Sequence, residues 1–559
     1  MKRTSFLLAG VGLAGVILYL ALGAANVTEW GHDAARDEDY NLLVEGFQKG
    51  QLNLNKEAPA GLALLPDPYD PIANARYRAI PYRLDDLSYY RGKLYFYFGA
   101  TPGLLLFWPW AALTGHFLFQ RIGCAAFCGV GFVASLALLR GLLRRYFPET
   151  PMWIAGLLAA MLGLASSATV LLQKADVWEV PIACGYALSM LALGAVWRAL
   201  HEPSRRVLWT ALASLGIGLA ISSRPALLFG AAIVLAPLFG AGRPERRIGP
   251  WLAALLPLGL CGAAVMAFNA ARFGNPLEYG ARYMLGLYRQ DTARHFSLGY
   301  LGYNFWIYFL EPMRWSAGFP FVRDAAVLPM PPAHGVVEDP FGALTGMPFL
   351  LAALAAPLAW RGRPAGEARP LRALVLATAL LFAAAAFMIC LFYGNCSRYE
   401  LDFLPSLALL AAAGVLGAER LAAGRPRRLA SVRLAWIGTL ALSLAFILLL
   451  SVQHYADQRY RLGNAYMASG RAEDATEQYR RALAVEPRLA DAQGNLGAAY
   501  FRLGRYAEAI AADQAALRLD PDSAAAHYNL AGALRQSGRL AEAQAEYEKA
   551  YALKAAPRR

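Results

Sequence analysis

Charge is scarce in this 559-residue chain: Asp, Glu, Lys and Arg make up 16% of it, against 57% hydrophobic residues. An ordinary soluble domain carries about a quarter charged residues, so most of this chain is not a soluble globule. Cysteine and histidine are thin as well. Of six cysteines, Cys124, Cys128, Cys184, Cys261 and Cys390 fall in apolar stretches, where a free thiol packs as a small hydrophobe; only Cys396 lies in a loop. That distribution excludes a disulfide framework and supplies no metal-ligand spacing. The seven histidines are scattered, so a zinc centre of the His/Cys kind is not expected.

What is abundant is apolar run length. About 20 apolar residues cross a bilayer core, and hydropathy predicts eleven spans, at roughly 5–25, 116–139, 151–172, 181–199, 207–222, 225–240, 250–270, 342–360, 371–392, 402–418 and 434–452. The first ends in small residues, as a cleaved signal would, but its length favours a retained anchor. The expected class is an all-α polytopic membrane protein of about 11 transmembrane helices.

Arginine sets the orientation. Lys2/Arg3, Arg140/Arg144/Arg145, Arg198/Arg205/Arg206, Arg243/Arg246/Arg247, Arg361/Arg363/Arg369/Arg372 and Arg420/Arg425/Arg427/Arg428/Arg433 fall in alternate loops with only five acidic residues among them. By the positive-inside rule those loops are cytoplasmic. The formal charge of +14 is then topological, and nucleic acid is not expected as a partner. With the amino terminus inside and eleven spans, loops 26–115 and 271–341 and everything after Gln453 face outward. The Ala/Arg/Leu-rich style points to a bacterial inner membrane, with a periplasmic outer side.

The last hundred residues follow a different rule. Segments 460–487, 492–521 and 526–555 superpose with a 34-residue period: Gly470/Gly504/Gly538, Ala475/Ala509/Ala543, Ala482/Ala516/Ala550 and Pro487/Pro521. This is the tetratricopeptide pattern, a stack of helix pairs. The expected domains are therefore 1–453, membrane, and 454–559, three repeats. With no obvious polar capping helix before Arg559, one end of the stack is expected to rest on the membrane domain or a partner. The repeats serve as a scaffold or as the place where a protein or peptide acceptor docks.

Four outward features carry chemistry. The run Asp37, Glu38, Asp39, Tyr40 puts carboxylates about a dozen residues past the first span. The stretch after Pro102, up to Leu113, is too short and too rich in Trp and Pro to span, and reads as interfacial. The second loop opens with Arg272 to Tyr283. A third, short outer loop runs from Tyr393 to Pro405 and carries Arg398, Tyr399, Glu400 and Asp402.

Taken together in this order, these features over residues 1–452 resemble the GT-C superfamily, polytopic glycosyltransferases that use polyprenyl-phosphate-linked sugars. The added repeats also resemble the architecture of the transmembrane-and-tetratricopeptide-repeat O-mannosyltransferases. The resemblance implies transfer of a hexosyl or pentosyl group from a polyprenyl-phosphate donor, among membrane lipids, to an acceptor on the outer face. It implies a loop carboxylate, Asp37 or Asp39 with Asp37 favoured, as the base for the acceptor hydroxyl. A glycosidase needs two carboxyl groups, whereas a phosphate leaving group needs only cations. Arg398, Arg282, Arg224 and Lys174 are the candidate phosphate ligands, and Arg398-Tyr399 matches the family pattern best. Glu179, Tyr399, Tyr283 and Lys93 are candidates for the acceptor or the sugar. A divalent cation, Mg or Mn, is the one cofactor to be considered. Cations at span ends also snorkel to lipid head groups, and two other functions compete: a flippase for a lipid-linked saccharide, and a membrane-anchored scaffold.

Overall fold

The computed structural model describes residues 2–25, 34–78, 82–240, 247–316, 318–323, 329–338 and 341–555. Arg243 and Arg246 of the basic loops, and the chain end at Arg559, lie outside the described residues. Among them, strands are confined to three two-stranded pairs, and the architecture is helical throughout. Of the described residues, one compact unit takes in those up to Leu448 except Arg314–Arg323; the second holds Arg314–Arg323 and those from Leu449.

Nine helices among the described residues are long and apolar enough to cross a membrane: Lys2–Ala25, Gln120–Tyr146, Met152–Lys174, Glu179–His201, Pro203–Ser223, Ile248–Phe273, Ala365–Cys390, Leu404–Ala422 and Pro426–Ala468. The other two segments read as spans, 225–240 and 342–360, form the shorter apolar helices Pro225–Phe239 and Pro348–Ala359. Both are largely 3-10 helix. A 3-10 helix rises about 2.0 Å per residue against 1.5 Å for an α-helix, so these segments reach about 28 Å and about 24 Å, close to the hydrocarbon core of about 30 Å. The tight winding of Pro348–Ala359 goes with close packing. At Gly414 a Cβ would come within 1.9 Å of the Ala352 carbonyl oxygen, and at Gly417 within 2.6 Å of the Ala359 nitrogen. Only glycine fits at those two positions of the facing helix.

Contacts at the helix ends sort the loops into two layers. At one layer Tyr146 and His201 meet through a 2.7 Å hydrogen bond, and Arg363 reaches the Tyr146 carbonyl. At the other, Ser223 Oγ donates to the Pro181 carbonyl at 3.0 Å, and Asn304 Nδ2 to the Cys390 carbonyl at 3.0 Å. The described basic loops share the first layer; the acidic run, the Arg398 loop and the loop before Glu179 share the second.

In the second unit the helices Ala472–Val485, Ala490–Arg502, Tyr506–Leu519, Ala524–Gln536 and Leu540–Ala555 stack in pairs behind the end of Pro426–Ala468. Gly470, Gly504 and Gly538 take the left-handed conformation (φ +80°, +72° and +78°) that ends each first helix. Leu462, Tyr466, Ala475, Tyr479, Leu496 and Tyr500 build the shared core with their repeat equivalents. One position departs from the repeat: Asp513 stands where Tyr479 and Tyr547 stand in the neighbouring repeats. It is fully buried, and its carboxylate oxygens have no hydrogen-bond partner.

Candidate functional site

The acidic run is held against the start of a transmembrane helix. Ala35–Asp37 forms a 3-10 turn and Asp39–Gln48 a helix behind it. Glu38, between them, is buried, and its Oε2 accepts from the Gln120 backbone amide at 2.5 Å. Asn41 locks the turn by donating to the carbonyls of Ala35 (2.6 Å) and Leu118 (2.9 Å). Tyr40 is pinned between Phe96 and Phe107. Asp37 is exposed, whereas Asp39 is partly buried. Burial pushes the Glu38 carboxyl up to about 8, opposed by the Gln120 amide. Burial likewise pushes Asp39 up to about 6, and the Lys56 ammonium holds it from rising further.

One helical turn beyond Gln120, Cys124 Sγ lies 4.0 Å from the Asp176 carbonyl oxygen. Four residues of α-helix advance about 6 Å, so the acidic run and the Asp176 loop dock side by side on the same helix. That loop leads into a cluster of charge. Asp176 N donates to Glu179 Oε2 at 3.0 Å. Arg398 Nη1 lies 3.6 Å from Glu179 Oε1 and 2.7 Å from Glu338 Oε2, and Lys174 pairs with the other oxygen of Glu338. Arg224 Nε donates to Asp402 Oδ2 at 2.9 Å. The guanidinium groups of Arg224 and Arg398 both lie over the Tyr399 ring, 4.6 and 5.4 Å from its centroid. Trp178, 5.9 Å from Arg398, donates its indole N–H to Asp86 Oδ2 at 2.7 Å. Burial raises the Asp86 carboxyl, against the pull of the Trp178 hydrogen bond and of the Arg398 and Arg78 charges. Burial also raises Glu400 well above the carboxylate range.

The structure therefore brings Lys174, Glu179, Arg224, Arg398 and Tyr399 into one cluster and docks Asp37 and Asp39 beside the loop that leads into it. Three candidates lie elsewhere. Arg282 is exposed in the turn Ala281–Tyr283. Tyr283 packs in an aromatic group with Tyr90 (4.5 Å), Phe273 (5.8 Å) and Tyr69 (6.1 Å). Lys93 is exposed, opposite Tyr90 in the hairpin Ser88–Tyr95. Sequence reasoning singled out neither Glu338 nor Lys56, and passed over Asp86 as loop and Trp178 altogether. The available signal was charge in an outer loop, which each of the three charged residues carries. Among the described residues no group of three or more His, Cys, Asp or Glu side chains could hold a metal ion.

An apolar groove of about 750 Å³ lies beside the site, lined by Trp108, Leu215, Leu260 and Phe268 among others. Ser222, two residues before Arg224, and Arg272 also line it. Arg272 donates to the Phe96 carbonyl at 2.6 Å and to Asn269 Oδ1 at 2.7 Å.

Fold and repeats define the class: a polytopic α-helical membrane protein with a carboxy-terminal tetratricopeptide-repeat domain. The tetratricopeptide repeat profiles match residues 460–524 and 500–555. Among solved structures, the chain is similar to ArnT from Cupriavidus metallidurans bound to undecaprenyl phosphate, at 13% identity over 87% of this chain and 80% of that one, with a TM-score of 0.40. It is similar also to the Archaeoglobus fulgidus oligosaccharyltransferase in its apo form, at 12% identity over 79% of this chain and 56% of that one, TM-score 0.41. A further likeness is to the second TPR of Spaghetti (RPAP3) bound to an HSP90 peptide, at 28% identity over 18% of this chain and 91% of that one, TM-score 0.17. No curated protein matches the chain.

Proposed function

We propose that this protein is a membrane glycosyltransferase of the GT-C type. It takes a sugar from a polyprenyl-phosphate carrier and places it on an acceptor hydroxyl at the outer face of a bacterial inner membrane, with the tetratricopeptide repeats on that face receiving a protein or peptide acceptor. One observation carries the reading: the acidic run, whose Asp39 burial raises to about 6, docks on the same helix as the loop that leads into a cluster of three cations, at the helix ends opposite the basic loops.

Each part has a chemical task. Arg398, Lys174 and Arg224 bind the carrier phosphate and stabilise it as it leaves, with arginine suited to bidentate phosphate contacts. The apolar groove that reaches Ser222 takes the polyprenyl chain. Asp39 removes the acceptor proton as the acceptor oxygen attacks the anomeric carbon. The carbon–oxygen bond to phosphate breaks, its electron pair stays with the departing phosphate, and the configuration inverts. A base works best with a pKa near the working pH; this favours half-buried Asp39 over exposed Asp37. Glu179 and Tyr399 hold and orient the arginines, placing them next to the sugar. Neutralisation of the phosphate falls to the three cations.

The test is donor consumption by the purified protein, offered a panel of polyprenyl-phosphate sugars with periplasmic extract as acceptor, comparing wild type with Asp37→Asn and Asp39→Asn. Turnover of one donor, lost in folded Asp39→Asn, supports the reading. Absence of turnover with every donor sinks it.

A further inference from the structure

Glu338 comes from a stretch of the second outer loop far from the other site residues in sequence, yet it bridges two of the three cations. The strand Val336–Glu338 pairs in parallel with Gly394–Cys396, and this register sets Glu338 opposite Cys396, two residues before Arg398. The loop behind it is fastened at His334, whose Nε2 lies 3.1 Å from Asn304 Oδ1 and 3.3 Å from Asn395 Oδ1. Gly335 N also donates to the Tyr393 carbonyl at 2.7 Å. So anchored, the Glu338 carboxylate spans two cations, one oxygen on Lys174 and the other on Arg398. That is the geometry of a phosphate bridging a lysine and an arginine. The three side chains keep 16–18% of their surface open, so a ligand from outside can reach them. Arg398 Nε is buried and has no hydrogen-bond partner, so the planar fork is only part used by Glu338.

We propose that Glu338 is an internal counter-ion that occupies the phosphate site of the free protein and must be displaced by the incoming carrier phosphate. The proposal rests on the reading of Arg398 and Lys174 as phosphate ligands. A tethered carboxylate makes the site selective by charge. A carrier phosphate, with acceptor oxygens for the unused Arg398 Nε and a polyprenyl chain held in the neighbouring apolar groove, can displace it, while a neutral head group, or an anionic one without that chain, cannot. Without this counter-ion the free protein would hold two adjacent cations open to any anionic lipid of the bilayer. The pairing also keeps two like charges in place at low cost before the donor arrives, since the attraction of each cation for the shared carboxylate offsets their mutual repulsion.

The experiment measures binding of a C55 polyprenyl phosphate to the full-length protein in lipid nanodiscs, read by the fluorescence of Trp178 against a Trp178→Phe control. Inorganic phosphate and phosphatidylglycerol serve as parallel probes, and wild type, Glu338→Gln, Arg398→Ala and the double variant are compared. Glu338→Gln is expected to bind polyprenyl phosphate about tenfold more tightly, a factor equal to about 1.4 kcal/mol, and to gain affinity for phosphatidylglycerol. Arg398→Ala is expected to lose binding in either background. If Arg398→Ala loses binding but Glu338→Gln binds no better than wild type, the counter-ion proposal is overturned and the phosphate site stands. If Arg398→Ala binds as wild type does, the phosphate-site reading falls and the proposal with it. A gain for inorganic phosphate without a gain for the lipid overturns the assignment to the carrier.

Discussion

Replacing Asp39 by Asn removes a carboxyl that burial has pushed up to about 6 from an ordinary 3.8. General-base catalysis contributes about 10²- to 10⁴-fold, or about 3–5 kcal/mol at 1.36 kcal/mol per tenfold, and kcat for sugar transfer is expected to fall by that factor. The same placement dictates the pH profile. A base of pKa about 6 is roughly nine-tenths ionised at pH 7 and one-tenth ionised at pH 5, so the rate should drop about tenfold per unit below pH 6. An unperturbed aspartate would hold its rate down to about pH 4. Lys56 supplies the charge that favours the ionised form, so Lys56→Met should move the acid limb upward from about 6. Initial rates of donor consumption in proteoliposomes between pH 4.5 and 8 measure all three effects. A limb near 4, a limb indifferent to Lys56→Met, or full activity in Asp39→Asn would refute the reasoning. Loss of activity in Asp37→Asn with Asp39→Asn intact would transfer the role to Asp37.

Asp402→Asn strips Arg224 of its carboxylate at a pair where the Asp402 side chain is fully buried and Arg224 is 16% exposed. Breaking one side of such a pair costs about 3 kcal/mol, to be read as a lowered midpoint of thermal unfolding in detergent. In the repeats, Asp513 is raised to about 8 by burial. From about pH 4 to about 8 the folded chain holds that proton while the unfolded chain has lost it. Stability therefore falls as pH rises through this window, by about 1.4 kcal/mol for each pH unit crossed. Asp513→Tyr restores the residue of the flanking repeats, and hydrogen exchange in the helix Tyr506–Leu519 should slow and lose this pH dependence; unchanged exchange would contradict it. With Arg398, Lys174 and Arg224 proposed to supply the neutralising charge, donor turnover is expected to persist in EDTA. Loss of turnover there, restored by Mg or Mn, would give a metal that task instead.

Much of the architecture is legible in the chain because hydropathy and a 34-residue period are local signals. The nine long helices and the repeat glycines can be read without knowing what they pack against. The segments around 225–240 and 342–360 are apolar enough to be noticed, but their winding is not written locally. The 3-10 turns of Pro348–Ala359 go with the close approach of Gly414 and Gly417 from a helix some 60 residues later in sequence. The site shows the same division. Arg398, Lys174 and Arg224 could be picked from their loops by charge and sidedness, yet their pairing could not: Glu338 lies 164 residues beyond Lys174, and Asp402 lies 178 beyond Arg224. Nor could the sequence separate Asp37 from Asp39. That difference is burial, created when Glu38 and Asn41 dock the turn on Gln120 and Leu118.

The central claim is that the carboxyl run and the cation cluster form one site for sugar transfer from a lipid phosphate. The most direct test places a polyprenyl-phosphate sugar in proteoliposomes with acceptor extract and follows, in the same sample, the release of free polyprenyl phosphate and the movement of intact carrier across the bilayer. Wild type is predicted to release polyprenyl phosphate, Arg398→Ala and Asp39→Asn to release none, and intact carrier to show no net movement. Movement of intact carrier without release would contradict the claim and identify a flippase.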